Sequence, residues 1–125
     1  MKTRIIHTKF WKDDYVSSLS SEEKLMFLYF VTNEHVNILH LYYCPDRLIM
    51  FDTGIDRGIL EKIKKKFEQD KKVYFRDGWI FLRNAHRYES YEGEKNDECK
   101  RKILKECGKT IKEWYRGIYT PMDRD

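Results

Sequence analysis

The chain contains few of the residues that interrupt regular structure. Its 125 residues include six glycines and two prolines, which excludes collagen-like, mucin-like and linker-like sequences and favours long, mainly helical elements. The longest stretch without a charged side chain, 35–45, is about half of the roughly 20 residues that a membrane-spanning helix needs. The N-terminus has no unbroken apolar segment and no small-residue cleavage site. We therefore expect no membrane partner, no secretion and a cytoplasmic location.

Cysteine is also sparse. Cys44, Cys99 and Cys107 form no CxxC pair and cannot all pair within one chain, which favours free thiols in a reducing compartment. On a helix, Cys99 and Cys107 would lie about 12 Å apart, too far to share one zinc ion. The four histidines are scattered, with no carboxylate at triad or metal-ligand spacing, so no acid–base site is visible. We expect no enzyme, no catalytic residue, no metal and no cofactor.

The residues that are present are sufficient for one folded domain. Hydrophobic residues make up 41% and aromatic residues 15% of the chain, enough apolar area to offset chain entropy although 37% of residues are charged. A strand-like segment at 4–11 precedes a short helical turn at Asp13 and Asp14. Ser20-Ser21-Glu22-Glu23 then resembles a capping box and predicts a central helix over 20–33.

The middle of the chain has the element order of a winged helix. A strand is predicted over 37–44, a short helix over 46–52, and a longer helix over 56–70 capped by Asp56 after the turn at Gly54. Asp77-Gly78 lies between two apolar runs and predicts a two-residue hairpin turn. That turn pairs Phe75 with Ile80 and Tyr74 with Phe81, and sets Arg76 opposite Trp79.

The C-terminal part of the chain returns to helical periodicity. The pattern predicts one helix from Asn96 to about Tyr115, with an apolar stripe formed by Cys99, Ile103, Cys107, Ile111 and Trp114. The expected organisation is a winged-helix domain over 1–92 and this helix over 93–116, packed on the domain or on a dimer partner. Residues 117–125 are expected to be a tail or the start of a linker. The fold class is thus α+β, mainly α, a winged helix-turn-helix with a short hairpin wing and an additional C-terminal helix.

Positive charge is concentrated in one segment. Residues 57–76 contain eight basic and three acidic residues, a net charge of +5, whereas the rest of the chain sums to −1. Such a patch suggests a polyanionic partner, although a solvated lysine-rich helix face would give the same composition.

The helix predicted over 56–70 separates an apolar stripe from a basic face. At about 100° per residue, Ile59, Leu60, Ile63 and Phe67 share one arc, a core stripe. The opposite face could enter the major groove of DNA. There Arg57, Lys62 and Lys65 would donate to guanine edges or phosphates, and Glu61 could accept from a cytosine amino group. The candidates for contacts with the DNA backbone are Lys64, Lys66, Lys71, Lys72 and Arg76.

Several blocks between Thr8 and Tyr88 resemble the N-terminal winged-helix domain of phage-type replication initiators, the replisome organisers related to DnaD-like primosome proteins. The blocks are Thr8-Lys9-Phe10-Trp11-Lys12-Asp13-Asp14-Tyr15, Glu23-Lys24-Leu25-Met26-Phe27-Leu28-Tyr29-Phe30-Val31-Thr32-Asn33, Phe51-Asp52-Thr53-Gly54-Ile55, Ile59-Leu60-Glu61-Lys62, Asp77-Gly78-Trp79-Ile80 and Asn84-Ala85-His86-Arg87-Tyr88. Where that family usually has a glycine, after Asn33 and between the apolar residues of the next strand, this chain has His40. The resemblance implies binding to double-stranded DNA at a replication origin, often as an oligomer. It implies no helicase-loading activity, which in the family belongs to a separate C-terminal region.

Two other functions remain open on the sequence. The chain could be an oligomerisation or docking module of the same fold, with Ile103, Cys107, Ile111 and Trp114 as the interface. It could also be a transcriptional regulator.

Overall fold

Helices account for most of the computed structural model, which describes residues 3–85, 88–90 and 97–122. The protein is α+β and mainly helical, as predicted at that level. The helices are α1 (Asp14–Ser17), α2 (Ser21–Thr32), α3 (Asp46–Thr53), α4 (Arg57–Gln69), α5 (Asp97–Glu106) and α6 (Lys109–Met122). The strands are β1 (Ile5–Ile6), β2 (Leu41–Tyr43), β3 (Val73–Arg76), β4 (Trp79–Leu82) and β5 (Glu89–Ser90), and a 3-10 turn spans Thr8–Lys12.

The helix starts follow the capping residues in the sequence. At α2, the Glu23 N–H donates to Ser20 Oγ (3.2 Å) and the Ser20 N–H donates to Glu23 Oε1 (2.9 Å), the predicted capping box. At α4, the Asp56 carboxylate accepts from the Ile59 N–H at 3.0 Å. Between these helices α3 ends at Gly54, whose φ of +76° closes the tight turn that leads to α4.

A three-stranded antiparallel sheet, in the order β2–β4–β3, supports these helices. The predicted hairpin register is confirmed: Phe75 pairs with Ile80, Tyr74 with Phe81, and Arg76 with Trp79. Both turn residues have positive φ, +50° at Asp77 and +86° at Gly78, as a type I′ turn requires.

The sheet separates two hydrophobic cores. The larger core covers one face with side chains from α2, α4 and alternate strand positions, among them Phe27, Phe30, Phe67 and Ile80. The smaller core covers the other face, where Leu41 and Phe81 pack against Cys107, Ile111 and Tyr115. The ring of Phe81 meets that of Tyr115 edge-on, with centroids 4.9 Å apart. The C-terminal helices therefore pack on the chain's own sheet, with Cys107 and Ile111 buried there.

The prediction of one C-terminal helix was wrong. Gly108 has a φ of +89° and separates α5 from α6, because glycine adopts this left-handed conformation without steric cost. The apolar stripe continues in α6, so periodicity alone did not reveal the break. The second helix continues to Met122, so the expected linker from 117 onwards is helical in its first part. Residues 91–96, which include the predicted start at Asn96, lie outside the described residues.

Two predicted strands are shorter than expected. Only Leu41–Tyr43 of the segment 37–44 forms a strand, because the Asn37 side chain organises a turn before it. Its carboxamide oxygen accepts from the Leu39 N–H (3.1 Å) and the Leu41 N–H (3.3 Å), and its amide donates to the Leu41 carbonyl (2.7 Å). At the N-terminus only Ile5–Ile6 is a strand, paired with Glu89–Ser90, and the predicted helical turn at Asp13 and Asp14 is present as α1. None of the described helices is long and apolar enough to span a membrane.

Candidate nucleic-acid interface

The orientation of α4 is fixed by its apolar side chains. Leu60, Ile63 and Phe67 are buried in the larger core, and Ile59 packs partly against it. These are the four residues of the predicted core stripe. Because one side of α4 is held in the core, the opposite side is directed outwards.

Two lysines on the outer side of α4 are free to bind a partner. Lys62 and Lys65 are both exposed, and within the described part of the chain neither has an ion pair or hydrogen bond. They are three positions apart and thus neighbours on the helix surface. Glu61 is exposed on the same side, the one acidic group among the predicted base-reading residues.

Lys64 and Arg57 are instead engaged with α3. The Lys64 ammonium lies 2.8 Å from Asp46 Oδ1 and 5.0 Å from the centroid of the Phe75 ring, and its side chain is 24% exposed. The Arg57 guanidinium lies 3.8 Å from Asp46 Oδ2, but its side chain remains 60% exposed. Asp46 thus joins α3 to α4 through two cations, and Lys64 has less freedom to reach a phosphate than the sequence suggested.

The C-terminal end of α4 forms a second ion-pair cluster. The Tyr15 hydroxyl donates to Asp70 Oδ2 at 2.7 Å, and the Lys66 ammonium lies 3.2 Å from the same oxygen. Lys72 lies over the Tyr15 ring, 4.8 Å from its centroid. The hydroxyl and the ammonium hold the pKa of Asp70 below its usual range, whereas burial and the nearby Asp70 raise the pKa of Tyr15. The cluster fixes α1 against α4 and partly neutralises Lys66.

The remaining predicted cations lie beyond α4. Lys71 is exposed and, within the described residues, unpaired. At the hairpin tip the Arg76 side chain is 50% exposed, with its Nε 3.8 Å from Asp77 Oδ2. Both residues are available to a polyanion that contacts the outer side of α4.

An open groove of about 390 Å³ runs between α4 and β3, lined by Lys64, Lys65, Glu68, Gln69 and Phe75. The Glu68 carboxylate accepts from the Phe75 N–H at 3.1 Å and so occupies a backbone donor on the free edge of the sheet. The groove therefore brings one aromatic ring, Phe75, together with two lysines and one carboxylate.

The described residues contain no cluster of three or more histidine, cysteine or acidic side chains that could hold a metal ion. The three cysteines are free thiols. Burial raises the pKa of Cys44 and of Cys107, which makes both thiols weak nucleophiles.

Sequence reasoning missed the acidic partners of the lysines. The pairing of Lys66 with Asp70 has i,i+4 spacing and was visible in the sequence. That of Lys64 with Asp46 spans 18 positions and depends on the turn at Gly54, so no local pattern could show it.

No family model, curated protein or solved structure gives a significant match to this chain. Its function must therefore be inferred from the surface of α4 and from the resemblance of its motifs.

Proposed function

We propose that this chain is a winged-helix DNA-binding domain with α4 as its recognition helix. The order α2–β2–α3–α4–β3–β4, the sheet order β2–β4–β3 and the glycine turn between α3 and α4 support this fold. In such a domain the hairpin β3–β4 is the wing.

The observation that carries the proposal is the pair of unpaired lysines, Lys62 and Lys65, on the exposed side of α4. An α-helix fits the major groove of B-form DNA, where lysine can donate to guanine edges or to phosphates. The pair lies in the middle of α4, opposite Ile63 and Phe67, so the helix can approach a duplex without exposing its core side. Arg57 would flank the pair at the start of the helix.

Lys71, Lys72 and Arg76 would contact the DNA backbone. With Lys62 and Lys65 they give five cations, so the logarithm of affinity should fall with the logarithm of salt concentration at a slope of about −4 to −5. An affinity independent of salt would exclude binding dominated by phosphates.

The motif resemblance supports a more specific role, binding of replication-origin duplex in a phage-type initiator. The block Thr8–Tyr15 provides Phe10 and Tyr15, which pack against Phe27 of α2, so this matching block stabilises the helix assembly. A transcriptional regulator would use the same helix on a different target sequence.

The test is a fluorescence anisotropy titration with origin-like and random duplexes at two salt concentrations. Lys62→Gln with Lys65→Gln should weaken binding at least tenfold and make the salt slope shallower by about 2. The matched control, Lys9→Gln with Lys12→Gln, removes two exposed cations outside α4 and should leave affinity within twofold. Unchanged affinity in the α4 variant, with an unchanged unfolding midpoint, would contradict α4 as the contact surface.

A protein-interaction module of the same fold is the second candidate, and one observation favours it. Phe51 on α3 is 84% exposed, the highest value among the large hydrophobic residues that the structure describes. Light scattering separates the two functions. A tight oligomer that Phe51→Ser dissociates, together with no DNA affinity, would favour the interaction module.

A further inference from the structure

A second basic surface lies on the C-terminal helices. Residues 101–116 contain six basic and two acidic residues, a net charge of +4. Outside both basic segments, an excess of five acidic charges offsets this charge, so the sequence beyond 57–76 sums to only −1.

Three of the four cations of α5 share one exposed side. Arg101, Lys102 and Lys105 fall within an arc of about 100° on the helix, and Lys109 follows at the start of α6. All four are exposed, and within the described residues none has an ion pair or hydrogen bond. We call these four residues the α5 stripe. The acidic residues nearest to it in sequence are Glu98, one turn earlier on the same side, and Glu106, at its edge.

The α5 stripe and the outer side of α4 lie on opposite sides of the sheet. Helix α4 packs on the face that carries Phe75 and Ile80, whereas Cys107 and Ile111 of the C-terminal helices pack on the face that carries Phe81. In α5 the partly buried Leu104 packs against the smaller core, whereas Arg101, Lys102 and Lys105 are exposed to solvent. One straight duplex seated on α4 therefore cannot also lie along the α5 stripe.

We propose that the α5 stripe binds a second segment of duplex DNA, so that one domain bridges two segments. This inference rests on the proposed function of α4. Arg101 and Lys105 are four residues and about 6 Å apart along the helix, and each DNA strand offers a phosphate every 3.4 Å of helix axis. A duplex thus offers a phosphate close to each cation wherever the helix lies along the duplex axis. An acidic protein would instead need carboxylates at positions that match the cations. The contact would be independent of base sequence, because it is made to phosphates.

The test is a capture assay in which an immobilised duplex retains a second, fluorescently labelled duplex only through the full chain. Wild-type protein should retain the second duplex. Arg101→Gln with Lys102→Gln and Lys105→Gln should reduce retention at least fivefold, while affinity for a single duplex stays within twofold. The salt slope of the second binding step should become shallower by about 3. The Lys9→Gln, Lys12→Gln variant again serves as the control for removing exposed cations elsewhere.

Each other outcome is decisive. Retention by the triple variant at the wild-type level would overturn the inference, since bridging would then come from two α4 surfaces in a dimer. Wild-type protein that binds one duplex but never retains a second would overturn it too. A third outcome is that Lys62→Gln with Lys65→Gln leaves duplex affinity unchanged while the triple variant loses all binding. The α5 stripe would then be the duplex site, and the function proposed for α4 would be wrong. The substituted residues are exposed, so the unfolding midpoint should stay within about 2 °C of wild type. Lys109→Gln, at the fourth residue of the α5 stripe, should also reduce retention of the second duplex.

Discussion

At the scale of single residues, backbone conformation limits which residues fit at a few positions, whatever their side chains contact. Four described non-glycine residues, His40, Lys71, Asp77 and Asn84, have φ between +50° and +59°. Aspartate and asparagine tolerate this conformation, whereas histidine and lysine adopt it at a cost. His40 lies just before strand β2. Its backbone keeps the conformation for which glycine is suited, and its carbonyl accepts from the Leu82 N–H at 2.9 Å.

Replacing Lys71 with glycine should stabilise the protein. Its φ of +59° costs an L-residue about 1–2 kcal/mol. Glycine adds roughly 0.4–1 kcal/mol of entropy to the unfolded chain, so we expect a net gain of about 0.5–1 kcal/mol. Urea denaturation measures this free energy. The neighbouring Lys72 has no positive φ, so Lys72→Gly is the control and should destabilise the protein. A loss of stability in Lys71→Gly would show that the positive φ at Lys71 does not strain the backbone.

Replacing Gly78 with alanine should destabilise more than the same change at Gly54. Both glycines have positive φ, but a Cβ at Gly78 would come within 2.6 Å of Tyr43 Cε1, whereas at Gly54 it would meet nothing within 4 Å. We expect a loss of about 1–2 kcal/mol at Gly54 from strain alone and at least about 1 kcal/mol more at Gly78. Thermal unfolding measures these losses, and combining Gly78→Ala with Tyr43→Ala should remove the extra loss of stability seen at Gly78. Equal losses of stability for Gly78→Ala and Gly54→Ala would rule out the clash with Tyr43.

At the scale of elements, the helices are held by ion pairs as well as by apolar packing. Asp46 joins α3 to α4, and Asp70 joins α1 to α4. An acidic residue at the C-terminal end of a helix opposes the helix dipole. The Tyr15 hydroxyl and the Lys66 ammonium compensate for this at Asp70.

The contribution of Asp70 to stability should depend on pH. Its folded-state pKa lies below the usual 3.8. The contribution of the Asp70 carboxylate to the free energy of unfolding is therefore complete above about pH 4, and it is lost as the pH falls through the folded-state pKa. Asp70→Asn should therefore destabilise at pH 7 and become equal to wild type in strong acid. Urea denaturation at several pH values measures the difference in free energy of unfolding between wild type and Asp70→Asn. This difference should be smaller when both proteins also carry Tyr15→Phe. A pH-independent difference would show that the carboxylate charge is not involved.

Local patterns predicted the elements whose causes are local. The capping box at Ser20, the turn at Asp77 and the stripe of α4 each depend on residues within one or two helical turns or one hairpin. The shortened strand before Cys44 is an exception: the Asn37 hydrogen bonds that precede it span only two and four positions, but the apolar segment 37–44 favoured a longer strand. The intramolecular partner of Lys64 depends on contacts across 18 positions. The basic side of α4 was thus predictable, but the number of its charges that remain free was not.

At the scale of the whole molecule, two cores share one three-stranded sheet. A substitution in the larger core should therefore speed amide hydrogen exchange over more of the chain than a substitution in the smaller core. Ile63→Ala, in the larger core, should cost about 2–5 kcal/mol and speed amide hydrogen exchange throughout 21–82. Ile111→Ala, in the smaller core, should mainly speed exchange in α6 and leave α2 protected. Equal acceleration everywhere in both variants would show that the cores unfold as one unit.

The central strand β4 constrains how this chain can change in length. Ile80 and Phe81 are adjacent but belong to different cores, so inserting one residue within β4 would exchange the side chains of the two faces. Any homologue that keeps the fold should therefore keep the length of β4. Insertions and deletions should fall outside β4, at the Asp77–Gly78 turn or in the turn over 37–40, where an added residue leaves the alternation of β4 intact.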